Sequence, residues 1–209
     1  DRHDVTNAQF ARFVAATGYV TVAERAPDVA RHPDLPDAMR VAGSAVFVMP
    51  AGRDAGRWRD VAGANWRQPQ GPGSSIAGRD NHPVVHVAYE DALAYARWLG
   101  RELPTEAQWE YAARGGLQAQ PYVWGRSFAP TGKPMANTWQ GPFPLADTGD
   151  DGHRGTSPVG CFAANGYDLY DMAGNVWQWT STWYTPGHSG RSETDPAGPG
   201  EAQSVDPRQ

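Results

Sequence analysis

The stretch Asn165-Gly-Tyr-Asp-Leu-Tyr-Asp-Met-Ala-Gly-Asn-Val-Trp-Gln-Trp-Thr-Ser-Thr-Trp-Tyr184 joins turn formers, a carboxylate and an aromatic run. Asn165-Gly166 and Gly174-Asn175 are turn signals, because these residues tolerate the positive φ at which other side chains clash. Trp177, Trp179 and Trp183 alternate with Gln178 and Thr180, the period-two pattern of a half-buried strand. The stretch therefore reads as a loop feeding a strand. Within the loop, Asp171 can offer a carboxylate oxygen, Gly174 and Val176 carbonyls, and Gln178 an amide oxygen, a set that suits a hard cation such as Ca²⁺. The same polar groups can also simply close a turn over a tryptophan core, and the residues alone leave both readings open.

Outward from this stretch, 209 residues without an internal linker read as one domain. Nine Trp supply buriable area, while 24 Gly and 18 Pro predict many turns and little regular structure. The net charge of −5 is spread without a basic patch, which argues against nucleic acid or an anionic membrane as partner. No apolar run is long enough to span a bilayer, and Asp1-Arg2-His3 is not a signal peptide. A bacterial cytoplasmic location is expected, with export left open. One cysteine, Cys161, rules out an internal disulfide or a dithiol site within this sequence, and a buried, inert thiol is expected there.

Three helices carry their own punctuation. Val5–Gly18 has Thr6 as N-cap, Gln9 completing a capping box and Gly18 past the last turn, with Phe10, Phe13 and Val14 as its apolar stripe. Glu90–Gly100 is the second. The third opens at Thr105 with Gln108 at the third helical position and closes at Gly115-Gly116. Glu106 and Glu110 lie one turn apart on it, a spacing that charge compensation of the helix N-terminus explains without acid/base chemistry. Val20–Gly78 is irregular, with a short strand at Val46–Val48. Val84–Val87 is expected to be a strand whose His86 is a hydrogen-bonded structural histidine. Asp147, Asp150 and Asp151 crowd one loop, and their repulsion needs solvent or a cation to relieve it. Thr185–Gln209, rich in Gly, Pro, Ser and Asp, reads as surface loop.

The opening stretch resembles the signature of the formylglycine-generating enzyme (sulfatase-modifying factor) family, NG-x-x-L-x-x-x-x-GN-x-W-E-W. Arg101–Gly116, Ala136–Pro144 and His82–Tyr89 are similar to further blocks of that family, so the resemblance runs from Val5 to about Tyr184. It implies an α+β, C-type-lectin-like fold with few short strands and calcium-braced loops. Residue by residue it places one Ca²⁺ on Asn137 and Asp151 with main-chain oxygens of Thr138 and His153. A second falls on Asp171 and Gln178 with main-chain oxygens of Gly174 and Val176. Gln178 stands where the family has glutamate, so that site is expected to be weaker by a full charge.

Family members oxidise the cysteine of a C-x-P-x-R segment in a sulfatase to Cα-formylglycine with O₂ and a Cu(I) ion held by two cysteine thiolates, the ligand a soft ion prefers. Those cysteines follow an R/K-G-G-S block that this sequence does not contain. The expectation is a single domain over residues 1–209 lacking its opening strand and cysteine-bearing C-terminal segment, with no catalytic residue and no activity of its own. What it can keep is a client-binding surface, expected on Trp177, Trp58 and Trp66, for one sulfatase polypeptide bound by a monomer. The alternatives are a non-catalytic binding module on the same scaffold and an iron-dependent sulfoxide synthase. The latter needs a histidine cluster at helical spacing, which the six His do not make.

Overall fold

The computed structural model describes residues 1–30, 33–52, 54–187 and 194–204. The final residues of the tail, Val205 to Gln209, lie outside them. The regular elements are α1 (Asn7–Thr17), β1 (Gly43–Val48), β2 (Arg57–Ala62), α2 (Tyr89–Trp98) and α3 (Glu106–Arg114), with three short 3₁₀ turns.

The helices begin and end where local chemistry dictates. The Thr6 side chain accepts from Gln9 N, and Thr6 N donates to Gln9 Oε1 at 2.8 Å; Gly18 closes α1 at φ 68°. Thr105 and Gln108 repeat the reciprocal pair at α3, which Gly115 ends at φ 54°. Such boxes satisfy helix N–H groups that have no carbonyl partner, an effect of about 1 kcal/mol each. Glu110 is spent on an i,i+4 ion pair with Arg114.

The core lies between α1, α2 and the irregular segment that follows β2. Phe10 meets Phe13, Trp66 and Tyr95 with ring centroids 5.3–5.9 Å apart, and Phe13 meets Tyr95 edge-on at 5.6 Å. Trp66 is 3% exposed. Its expected place on a client-binding surface is therefore wrong: the tight Asn65–Gln68 turn curls it inward, and the Arg67 guanidinium caps its indole at 4.1 Å. Asp91, fully buried, accepts from Tyr19 Oη, Val22 N and Ala88 N at 2.9–3.0 Å, tying the start of α2 to the chain after α1. A buried carboxylate is tolerated because three donors replace its water.

The sheet is one antiparallel pair, β1 with β2, in which Phe47 faces Trp58. β1 includes the expected Val46–Val48, whereas β2 is a strand with exposed charges on both faces. Two expected strands are absent. At Val84–Val87 only Thr6 and Pro83 form an isolated bridge, because His86 sits at φ 58° and breaks the extended backbone. His86 is nonetheless the structural histidine expected: Nε2 donates to Pro69 O at 2.8 Å, which leaves Nδ1 to accept from Ser44 Oγ at 2.8 Å, and burial lowers its pKa. The Trp177–Trp183 alternation finds no partner strand either. Ser181 N bonds Pro104 O, and Trp179 Nε1 reaches Val87 O, so the segment is pinned by single contacts.

The C-terminus of α3 is closed by a residue fifty positions away. Asn165 Nδ2 donates to Ala112 O at 2.7 Å and Ala113 O at 3.1 Å, while its Oδ1 accepts from Tyr167 N and Leu169 N. Gly166 permits the contact, since a Cβ there would lie 2.3 Å from Gly115 O. Replacing Asn165 with Ala strands helix carbonyls and loop amides together, and chemical denaturation is expected to show a loss of about 2–3 kcal/mol. Gly166→Ala is expected to lose at least as much, whereas Gly200→Ala, at φ −89° with nothing within 4 Å of the added Cβ, loses far less.

Candidate functional site

Two loops and an aromatic ribbon adjoin one another. In the first loop the structure brings Asn137, Thr138, Asp151 and His153 together. Asp151 accepts from Thr138 N through Oδ2 and from His153 N through Oδ1, both at 2.9 Å. Asn137, 7% exposed, donates from Nδ2 to Gly155 O and to Asn175 Oδ1, which commits its nitrogen and leaves Oδ1 as its acceptor. Asp147 is met by Gln140 N and Gly149 N. Main-chain N–H groups thus relieve much of the repulsion expected among Asp147, Asp150 and Asp151. Among the described residues no three His, Cys, Asp or Glu side chains that could hold a metal converge, so any cation here depends on amide and main-chain oxygens beside the Asp151 carboxylate. An oxygen-only set of that kind fits a hard cation, not copper.

The second loop turns through Asp171, Gly174 and Asn175, all at positive φ of 57–76°. Glycine at 174 is obligatory: a Cβ would lie 2.2 Å from Asn137 O. Asp171 is 9% exposed and accepts from Gly160 N at 2.8 Å; burial raises its pKa, against the lowering by that N–H. Gln178 Oε1 accepts from Trp109 Nε1 at 2.7 Å, and its Nε2 donates to Asp171 O at 2.9 Å. The amide therefore bridges α3 to the loop. Asp171 and Gln178 are brought together, but through the main-chain oxygen of Asp171 and with the Gln178 oxygen already engaged.

Beyond the second loop Trp177 stands 94% exposed, its ring 6.4 Å from that of Trp58, itself 60% exposed. The ribbon continues from Trp58 to Phe47 at 5.5 Å and on to Trp139 and Phe143 at 5.8 and 5.9 Å. Phe47 and Trp139 are half-buried, so the ribbon presents Trp177, Trp58 and Phe143 to solvent, and exposed aromatic groups set close together mark a contact surface. Cys161 is exposed, contrary to the buried thiol expected, because the chain around it is a turn. Partial desolvation of the sulfur, and then the Asp171 charge, push its pKa up even so, and the thiolate that would bind a soft ion is disfavoured.

Residues 1–205 match the sulfatase-modifying factor enzyme 1-like domain. The chain belongs to this family. It is 58% identical over 193 residues to a formylglycine-generating enzyme of Mycobacterium tuberculosis, covering 90% of this chain and 64% of that protein. To the formylglycine-generating enzyme of Mus musculus it is 48% identical over 199 residues, 95% of this chain and 52% of the relative. An inactive Cα-formylglycine-generating enzyme 2 of Mus musculus is 43% identical over 89% of this chain and 58% of its own length. Among solved structures, PvdO from Pseudomonas aeruginosa superposes with a TM-score of 0.59 at 26% identity, over 94% of this chain and 61% of that one. The chain thus spans between half and two thirds of the length of these curated relatives. No helix among the described residues is long and apolar enough to cross a membrane.

Two residues of this sulfatase-modifying-factor domain that matter were not singled out by sequence. Asn175 was visible only as a turn former, yet it joins both loops: Oδ1 accepts from Ser157 N and Asn137 Nδ2, and Nδ2 donates to Ser157 O. Asp4 gave no signal at all. Its Oδ2 is buried without a hydrogen-bond partner, and burial, then Asp171, push its pKa from 3.8 up to about 7. Between pH 4 and 7 the folded chain therefore holds a proton that the unfolded chain has released, so stability falls as pH rises through that window and reaches its floor above pH 7. Asp4→Asn is expected to remove this slope. In chelator-treated buffer the variant melts with wild type at pH 4 and gains on the order of 1–3 kcal/mol over it at pH 8, read from Tm against pH.

Proposed function

We propose that the intact protein is a formylglycine-generating oxidase, which converts the cysteine of a C-x-P-x-R segment in a sulfatase to Cα-formylglycine with O₂ and Cu(I). This stretch supplies the docking face for that client. The observation that carries the docking reading is the Trp177–Trp58 pair at the end of a continuous aromatic ribbon. Holding an indole 94% in water is unfavourable, and a bound peptide that covers it recovers the burial. The names of relatives at 48–58% identity support the chemistry.

The neighbouring strand favours an extended client. β2 pairs only with β1 among the described residues, so alternate main-chain groups along its outer edge are open to an added strand. Trp58 and Asp60 share one face of β2 by the two-residue period, Asp60 is exposed, and a carboxylate two residues from an aromatic anchor suits the client arginine. The first loop holds Ca²⁺ as a brace, through Asn137 and Asp151 with carbonyls of Thr138 and His153. It positions this face and takes no part in the chemistry.

Bound copper would supply the activation of O₂. Two thiolates are needed to hold it, and Cys161, the one cysteine in the sequence, is both alone and disfavoured as a thiolate. The second reading, a binding module without oxidase activity, is favoured by the inactive relative matched over 89% of the chain. Formation of aldehyde in a C-x-P-x-R peptide by the full-length protein with Cu(I) separates the two: product supports the oxidase, and peptide binding with no product supports the module.

On either reading Trp177→Ala is expected to weaken binding of such a peptide about tenfold, the loss of a single aromatic anchor, while Tm stays within a degree or two because the side chain packs little. Asp60→Asn is expected to weaken it less, and only for peptides that carry the arginine. Fluorescence anisotropy with a labelled peptide reads both effects, and unchanged affinity in Trp177→Ala would contradict the docking face.

A further inference from the structure

The orientation of the Gln178 amide is fixed by two partners that can each act in one way only. An indole N–H only donates, so the 2.7 Å contact with Trp109 requires Gln178 Oε1. A main-chain carbonyl only accepts, so the 2.9 Å contact with Asp171 O requires Nε2. Both contacts demand the same rotation. A carboxylate at this position would present two oxygens, one for the indole and one for a cation. The amide has a single oxygen, which Trp109 already takes, and it sets a positively polarised NH₂ where the second oxygen would be.

Several other groups of the loop are tied without an ion. Asp171 Oδ2 accepts from Gly160 N. Asn175 N donates to Asn137 O at 2.8 Å, and its side chain joins Asn137 and Ser157. Gly174 packs directly on the Asn137 carbonyl. Turns of the loop are thus closed by protein donors, and the Gln178 amide presents hydrogen atoms where a carboxylate would offer its second oxygen.

We infer that the loop from Asp171 to Gln178 takes no calcium in this protein, that the Gln178 amide replaces the ion as its brace, and that the identity of residue 178 decides occupancy. This rests on the first-loop calcium brace given under the proposed function, and it departs from the second ion that the family resemblance implies.

The test is a count of bound calcium on the full-length protein by isothermal titration and elemental analysis after chelator treatment. Gln178→Glu is expected to bind one more Ca²⁺ per chain than wild type and to acquire a calcium-dependent rise in Tm. Equal counts in the two proteins, or two ions in wild type, would overturn the inference. In the double variant Asp151→Asn/Gln178→Glu the first loop is disabled, and one remaining ion is expected; none would again overturn it. Asp151→Asn in the wild-type background reports on the first loop alone, so that a failure there leaves the difference made by residue 178 legible. Near-ultraviolet circular dichroism in calcium confirms that each variant is folded before its count is compared.

Discussion

One side-chain amide holds three loop segments in register. Asn175 accepts at Oδ1 from Ser157 N at 2.9 Å and Asn137 Nδ2 at 3.1 Å, and donates from Nδ2 to Ser157 O at 3.2 Å. Its own N–H bonds the Asn137 carbonyl. A typical hydrogen bond contributes about 1 kcal/mol net, but a buried donor left without a partner costs about 1–3 kcal/mol, so the amide matters more for what its loss would strand. Asn165 plays the same part at the end of α3. With only one two-stranded sheet among the described residues, the loop half of the molecule has no ladder to satisfy its backbone. Asparagine and aspartate side chains do this instead.

That substitution explains what the sequence could and could not reveal. Capping boxes at Thr6 and Thr105 are complete within four residues, so α1 and α3 were legible to within two residues of their ends. The pairings of Asn175 with Ser157 and of Asn165 with Ala112 span 18 and 53 positions, and no local pattern announces them. Strand spacing misled in two places. Trp177–Trp183 has no neighbour to pair with, and a strand is a property of two segments, whereas Val84–Val87 begins beside Val5 and Thr6 but is broken by His86 at positive φ. β2 was missed in the opposite sense, since Arg57, Arg59 and Asp60 hide a strand whose register with β1 is set by Phe47 and Trp58. The three tryptophans expected on the client-binding surface divide the same way. Residue type cannot tell a core indole from an exposed one, and only the turn around Asn65 decides that Trp66 points inward while Trp58 does not.

Membership of the sulfatase-modifying-factor family and the loop scaffold meet at Trp177. The residue follows directly on the turn that Gly174 and Asn175 fix, so the side chains that lock the loops also hold the most exposed indole of the ribbon beside Trp58. On the proposed reading, the rigidity of the loops is the functional property: an exposed aromatic anchor serves recognition only if its position is set before the client arrives. Whether a given loop is braced by an ion or by an amide then becomes interchangeable chemistry under one geometric requirement.

Asn175 is the lock between the loops, and amide hydrogen exchange in an Asn175→Ala variant measures its strength. Exchange is expected to accelerate at least tenfold at Ser157 and Thr138, while amides of α1 and α2 around Phe10 and Tyr95 keep wild-type protection. Unchanged protection at Ser157 and Thr138, or a loss spread evenly over the helices and the loops, would contradict it.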